Sequence, residues 1–143
     1  MNPIQIVIDT NVMVSASRSK RGASYELLRR MDDSRFQVNI SNSLLMEYEE
    51  KLKAEIKRQG IHGVQRVDPF LDYLAAAANR WSIPMSLPVD GINIEDQFVF
   101  DLAIASEAPI IITYNLKHFR GARLYGVIPM WPGDFLKMLE KMT

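Results

Sequence analysis

The stretch IQIVIDTNVMV, residues 4–14, places a carboxylate directly after a run of mostly apolar residues. The first five residues of the stretch are rich in branched side chains, which is typical of a buried β-strand. Asp9, Thr10 and Asn11 then follow before apolar residues resume. A carboxylate at the edge of a core is costly unless hydrogen bonds or a cation compensate it. Asp9 is therefore the first candidate site residue, as a helix cap, as a metal ligand, or as both.

Strand-like and helix-like segments alternate outward from this stretch along the whole sequence. The pattern predicts strands at residues 4–9, 36–40, 109–113 and 126–130, and helices after Asp9 and at 24–31, 41–57, 67–81, 94–108 and 131–142. Such alternation predicts a mainly parallel central sheet covered by helices on both faces, a three-layer α/β/α sandwich. We expect residues 1–143 to form a single domain, because the length suits one core and no repeat or linker divides the chain.

The composition argues against several kinds of site and location. The absence of cysteine excludes disulfides, zinc–thiolate sites and thiol catalysis. The formal net charge is zero, so binding of nucleic acid would need a local basic patch. No apolar run approaches the roughly 20 residues of a membrane span, and the first residues lack the pattern of a secretory signal. We therefore expect a cytoplasmic protein that does not bind membranes.

Polar residues also follow a second predicted strand. Thr113 ends the strand-like segment PIIIT, residues 109–113, and Asn115 lies just beyond it. In open parallel α/β sheets, ligands bind outside the carboxyl ends of the strands. We therefore expect Thr113 and Asn115 to lie near Asp9.

Asp101 is the second acidic candidate, in the segment FVFDLAIA, residues 98–105. A helix that is apolar on nearly every side is buried, and a buried carboxylate requires a compensating cation. The sequence leaves two partners open for Asp101: an Arg or Lys side chain, or a metal ion shared with Asp9.

Two further acidic residues are weaker candidates. Asp96 lies at the start of its helix, where NIED resembles a capping box and a first-turn acid favours the helix dipole. Glu47 is compatible with an ordinary ion pair to Lys51. Together with Asp9 and Asp101, they would offer only oxygen ligands. Oxygen ligands suit a hard cation such as Mg²⁺ or Mn²⁺, and sites of this kind carry out phosphoryl chemistry.

The order of these motifs resembles the PIN-domain family, in particular its VapC-like branch of toxins from toxin–antitoxin systems. The resembling segments are IDTNVMVSA, GASYELLRR, ISNSLLMEYEEKL, EDQFVFDLAIAS, IIITYNLKHF and GVIPMWPGDFL. Between them they extend over almost the whole chain, from Ile4 to Leu136. The resemblance implies an α/β/α sandwich that binds Mg²⁺ or Mn²⁺ and hydrolyses RNA phosphodiester bonds as an endoribonuclease.

The resemblance also implies roles for individual residues. The catalytic acids would be Asp9, Glu47, Asp96 and Asp101. Asp9, Asp96 and Asp101 would hold the metal, and Glu47 would orient or deprotonate the attacking water. The polar residues around the site would be Thr10, Asn11, Thr113, Asn115 and His118.

Two departures from the family pattern keep a second function open. Asn115 is neutral where many members have Asp, and His118 stands where a further acid is common. Both changes remove negative charge, which disfavours a second metal ion. The alternative is a catalytically weak or inactive PIN-like domain that binds RNA or a protein partner.

Partners follow from basic residues and from the resemblance. The residues expected to form a basic rim for RNA are Arg18, Lys20, Arg21, Lys117 and Arg120. An ordinary charged surface is an equally good interpretation of these residues. The resemblance further implies a homodimer that is silenced by a small antitoxin protein.

Overall fold

The computed structural model describes residues 2–60, 62–84 and 86–142. Within these ranges the strands are β1 (Ile4–Ile8), β2 (Phe36–Ser41), β3 (Asn79–Trp81), β4 (Ile110–Ile112) and β5 (Ile128–Met130). The α-helices are α1 (Thr10–Arg18), α2 (Ala23–Arg29), α3 (Asn42–Arg58), α4 (Val67–Ala77), α5 (Gln97–Ala105) and α6 (Pro132–Glu140). Short 3₁₀ helices span Val64–Arg66, Ile94–Asp96, Leu116–Phe119 and Ala122–Tyr125.

The five strands form one parallel sheet in the order β3-β2-β1-β4-β5. The strand that precedes Asp9 is central: Ile6 lies opposite Val38 of β2 on one side and Ile110 of β4 on the other. Ile6 and its two successors are fully buried. This explains their continuous apolar sequence, since a strand of a parallel sheet is covered on both faces.

Helices cover the sheet in the arrangement that the sequence predicts. Helix α1 contacts α2 and α3, α2 contacts α6, and α3 contacts α4, whereas α5 packs against β1, β2 and β4. The prediction of a three-layer α/β/α sandwich with a parallel central sheet is thus confirmed. In the described part of the chain, no helix is long and apolar enough to cross a membrane.

The predicted helix at residues 67–81 is wrong in its last part. The helix ends at Ala77, because Ala78 turns to extended backbone with φ −91° and ψ 156°. The next three residues form β3, an exposed strand that pairs with β2 at the sheet edge. Trp81 Nε1 also donates a 2.9 Å hydrogen bond to Asn39 Oδ1 of β2. Pairing with β2 therefore replaces the helix that local sequence favours.

Candidate active site

Asp9 is held at the carboxyl end of the central strand. Its backbone N–H donates to Ile112 O at 2.8 Å, so the hydrogen bonding between β1 and β4 extends to Asp9. Its carboxylate is buried, and the residue is only 4% exposed. Oδ1 accepts a 2.8 Å hydrogen bond from Thr10 N, and Oδ2 accepts one of 2.8 Å from Thr113 Oγ1. Asp9 therefore caps α1, and its orientation is fixed from two sides.

The environment of Asp9 disfavours the ionised carboxylate. Burial is the main cause that raises the pKa of Asp9, from 3.8 to about 6. The negative charges of Asp96 and Glu47 raise this pKa further, while the hydrogen bonds from Thr113 and Thr10 lower it. Asp9 is thus a carboxylate that a nearby cation would stabilise strongly.

Glu47 approaches Asp9 from helix α3. The Thr10 hydroxyl donates a short hydrogen bond to Glu47 Oε1. The hydroxyl of the next residue, Tyr48, is buried and donates to Ile8 O, which ties α3 to the end of β1. Among the described residues, Glu47 forms no ion pair with Lys51, so the ordinary surface pairing suggested by their spacing is not present.

Asp96 occupies the N-cap position of α5, and Asn93 caps the 3₁₀ helix that precedes it, Ile94–Asp96. The Oδ1 atom of Asn93 accepts a 3.0 Å hydrogen bond from Glu95 N. The Asp96 side chain makes no capping hydrogen bond to α5. Its Oδ2 lies 2.8 Å from His118 Nδ1. Within the described residues, Oδ1 is the oxygen of the Asp96 carboxylate that has no hydrogen bond and is left for another ligand.

Two glycines bring the segments of Asp96 and His118 together. Gly121 N donates to Gly91 O at 2.9 Å. A Cβ atom on Gly121 would lie 2.4 Å from Asp90 O, which is a steric clash between a carbon and a backbone oxygen. Gly91 has φ +82°, a conformation that residues with a side chain rarely adopt. The loop before α5 and the loop after β4 can cross this closely only because both residues are glycine.

An open cavity of about 490 Å³ lies in front of Asp9. The predicted site residues that line it are Asp9, Thr10, Asn11, Arg18, Glu47, Asp96 and Asn115. Thr113 is fully buried and reaches the site through its hydrogen bond to Asp9. Three of the four predicted acids therefore line the same cavity: Asp9 directly after β1, Glu47 in α3 and Asp96 directly before α5.

Asp101 does not line this cavity, which corrects the expectation that it is buried beside Asp9. The residue is partly exposed. Its Oδ1 accepts hydrogen bonds from Ser86 Oγ at 2.6 Å and Gln97 Nε2 at 3.0 Å. Neutral donors therefore bond to the carboxylate, and Asp101 lines a separate pocket that also contains Glu47. The metal role of Asp101 stays a prediction.

The predicted basic rim contributes one residue to the lining of the cavity. Of its five members Arg18 lines the cavity, Lys20 lines a separate groove, and Arg21, Lys117 and Arg120 line neither. The structure adds two cations that sequence reasoning missed, Lys51 and Arg58 of α3. Their spacing from Glu47, four and eleven residues, puts all three on one helical face, a signal that was present in the sequence.

The donors of the cavity fit a hard divalent cation in a hydrated form. Within the described ranges no three acidic or histidine side chains converge into a ready-made metal cage. In the same ranges no Lys or Arg is paired with Asp9, Glu47 or Asp96. Carboxylate oxygens around an open cavity suit Mg²⁺, which keeps several waters and takes few protein ligands.

Three comparisons with known proteins bear on the family and fold of the chain. A comparison with curated protein sequences gives no significant match. One chain of the crystal structure of VapBC2 from Rickettsia felis, bound to a DNA fragment from their promoter, superimposes with a TM-score of 0.55. The match covers 88% of this chain and 97% of that chain at 17% identity, so it shows a shared fold. The family model described as PIN domain matches residues 5–117, and the chain therefore belongs to the PIN-domain family.

Proposed function

We propose that the protein is a metal-dependent endoribonuclease that hydrolyses RNA phosphodiester bonds. The observation that carries this proposal is the shared cavity of Asp9, Glu47 and Asp96, with Asp9 buried and its pKa raised. A strongly perturbed carboxylate in a cleft is a typical mark of a functional site. Membership of the PIN-domain family supports the same conclusion, since PIN domains are generally nucleases.

Asp9 and Asp96 would hold Mg²⁺ or Mn²⁺, directly or through water. When bound, such an ion lowers the pKa of a water molecule and stabilises negative charge on a phosphate. Thr113 and Thr10 keep the Asp9 carboxylate turned toward the cavity through their two hydrogen bonds. This support matters because partners of metal ligands fix the ligands' orientation.

Glu47 would orient the attacking water and accept its proton. The Thr10 hydroxyl occupies Oε1 of Glu47, which leaves Oε2 for the water. The water oxygen then bonds to phosphorus while the bond from phosphorus to the 3′-oxygen breaks. The 3′-oxygen takes a proton from solvent, so the products carry a 5′-phosphate and a 3′-hydroxyl.

The proposal extends to the biological setting of a toxin–antitoxin pair. The fold shared with a chain of the VapBC2 structure supports a small antitoxin protein as a partner. We propose a homodimer that acts on RNA in the cytoplasm. Residues 1–143 would act as one domain in that assembly.

A specific contact favours a second candidate function. His118 Nδ1 lies 2.8 Å from Asp96 Oδ2, and it would compete with a metal ion for that oxygen. Asn115 supplies no charge to the cavity that it lines. A PIN domain of this kind could bind RNA or a protein partner while cleaving RNA weakly or not at all.

A cleavage assay separates the two functions. A short end-labelled single-stranded RNA is incubated with the protein in Mg²⁺, in Mn²⁺ and in EDTA. The proposed function predicts cleavage only with a divalent ion, and a loss of about 100-fold or more in Asp9→Asn and in Asp96→Asn. Asp72→Asn is the matched control, since Asp72 is exposed on α4 outside the cavity. RNA binding without cleavage by the wild-type protein would favour the second function instead.

A further inference from the structure

The cavity in front of Asp9 has an acidic end and a basic end. Helix α3 presents Glu47, Lys51, Glu55 and Arg58 along one face of it. At 1.5 Å per residue, Glu47 and Lys51 are separated by about 6 Å along the helix axis, and Glu47 and Arg58 by about 16 Å. Arg18, the last residue of α1, lines the cavity as well.

Glu55 anchors the two arginines at the basic end. Its side chain is only 5% exposed, whereas the side chains of Arg18 and Arg58 are 56% and 67% exposed. Arg18 Nε donates to Glu55 Oε1 at 2.8 Å, and Arg58 Nε donates to Glu55 Oε2 at 2.8 Å. One carboxylate thus holds two guanidinium groups, which leaves one positive charge in excess and free N–H groups on both.

Lys51 adds a second uncompensated charge. It is exposed, and it makes no ion pair or side-chain hydrogen bond with any residue in the described ranges. It stands on α3 one turn beyond Glu47, between the acidic end and the two arginines. The basic end therefore carries about two excess positive charges beside three acidic residues.

We propose that Lys51, Arg18 and Arg58 form a subsite for the RNA phosphates next to the scissile one. This inference rests on the proposed ribonuclease function. Guanidinium groups present several N–H donors in a planar fork that matches phosphate oxygens, and an ammonium group binds phosphate as a point charge. Glu55 is then a positioning residue, because it preorients both guanidinium groups without touching the RNA.

The residues that line the cavity are compatible with an RNA strand that lies along α3. Val14 and Ala54 also line the cavity, and their small apolar side chains leave room for the sugar backbone. A strand with its scissile phosphate at Asp9 would carry the following phosphates past Lys51 toward the arginines. The acidic end then accepts the phosphate only together with a cation, whereas the basic end binds phosphate directly.

The test measures RNA binding without cleavage. Fluorescence anisotropy gives the Kd of a short single-stranded RNA in EDTA at several salt concentrations, for the wild-type protein and for Lys51→Gln. Lys51→Gln removes a charge without breaking an ion pair, so its fold should be retained. Lys57→Gln is the matched control, because Lys57 is an exposed cation of the same helix that does not line the cavity.

The subsite predicts that Lys51→Gln weakens binding about fivefold. The slope of log K against log salt should become shallower by about 0.7, the value for one lost phosphate contact on a single strand. In the cleavage assay, Lys51→Gln should raise KM more than it lowers kcat. Lys57→Gln should match the wild-type protein in all three measurements.

Equal Kd and equal salt slope for Lys51→Gln and the wild-type protein would overturn the subsite. If the wild-type protein still cleaves RNA in that case, the proposed function survives without this inference. A wild-type protein that neither binds nor cleaves RNA would overturn both. Glu55→Gln supplies a second variant: the subsite predicts weaker binding despite the added positive charge, and tighter binding would contradict the positioning role.

Discussion

The hydroxyl of Thr113 donates a 2.8 Å hydrogen bond to Asp9 Oδ2, although the two residues are 104 positions apart in the chain. The bond joins the carboxyl ends of the neighbouring strands β1 and β4. The same hydroxyl oxygen accepts from Asn115 N at 3.0 Å. Thr113 therefore contacts both the Asp9 carboxylate and the backbone of the loop after β4, and it positions these two parts of the candidate active site.

Replacing Thr113 with Val tests this support. Val keeps the shape of the side chain but removes the hydroxyl, so Asp9 keeps the hydrogen bond from Thr10 N and loses the one to Oδ2. We expect Mn²⁺ binding, measured by isothermal titration calorimetry, to weaken about tenfold or more. Ser106→Ala, which removes a buried hydroxyl at the C-cap of α5 that donates to Leu102 O, should leave Mn²⁺ affinity unchanged. Unaltered Mn²⁺ affinity in Thr113→Val would contradict the supporting role.

Replacing Asp9 with Asn should stabilise the metal-free protein at neutral pH. The pKa of Asp9 is raised from 3.8 to about 6, so the folded protein binds its proton more tightly than the unfolded chain does. The contribution of Asp9 to stability is therefore present below about pH 4 and lost as the pH rises to about 6. Above that pH, Asp9→Asn should gain up to about 3 kcal/mol in free energy of unfolding, since one pKa unit corresponds to about 1.4 kcal/mol.

Urea denaturation in EDTA from pH 4 to pH 8 measures this effect. The difference between Asp9→Asn and the wild-type protein should grow as the pH rises, and Asp72→Asn should show no such trend. Mn²⁺ should raise the stability of the wild-type protein and not that of Asp9→Asn. A loss of stability in Asp9→Asn at pH 7 would mean that the carboxylate stabilises the fold without a metal ion.

Asp96 and Asp101 should differ sharply in the cleavage assay. Asp96 lines the cavity with Asp9, whereas Asp101 bonds to Ser86 and Gln97 outside it. We expect Asp96→Asn to lose cleavage and Asp101→Asn to retain at least about half of it, because distant sites usually act independently. If Asp101→Asn loses cleavage as completely as Asp96→Asn, the metal role predicted for Asp101 from the sequence would be correct after all.

The close contact between Gly91 and Gly121, which brings the segments of Asp96 and His118 together, should not tolerate a side chain at Gly121. Gly121→Ala would force a methyl group to within 2.4 Å of Asp90 O and 2.9 Å of Gly91 Cα. Chemical denaturation should show a loss of about 1–3 kcal/mol, the usual cost of overpacking. At Gly133 a Cβ would meet only Ala23 Cβ at 3.8 Å, so Gly133→Ala is the matched control and should be neutral or stabilising. Equal stability of the two variants would show that the backbone around Gly91 and Gly121 can move apart to accept a methyl group.

The sequence was sufficient for four of the five described strands and for the residues at their carboxyl ends. Apolar runs and the rule for parallel sheets predicted that Asp9, Thr113 and Asn115 would meet, and the structure brings them together. The edge strand β3 could not be predicted in the same way. Its residues are exposed, and only pairing with β2 and the bond from Trp81 to Asn39 define it.

The candidate site was predicted less completely, because side-chain partners come from distant segments. Apolar neighbours in the sequence suggested a buried Asp101, but Ser86 supplies a hydrogen bond from the loop after β3. The pattern NIED suggested a capping box, but the Asp96 side chain makes no capping hydrogen bond and pairs with His118 instead. Lys51 and Arg58 resemble ordinary surface cations until the position of α3 against α1 is known. The metal-binding and RNA-binding roles of these residues stay predictions.

The most direct measurement is an anomalous difference map from a crystal of the wild-type protein soaked in Mn²⁺. We expect a peak in the cavity, contacted by Asp9 and Asp96 directly or through water, with Glu47 beside a water of the ion. The same map from Asp9→Asn should lack the peak. An empty cavity in the wild-type crystal, or a peak at Asp101 alone, would contradict the claim that these three acids share a hard cation.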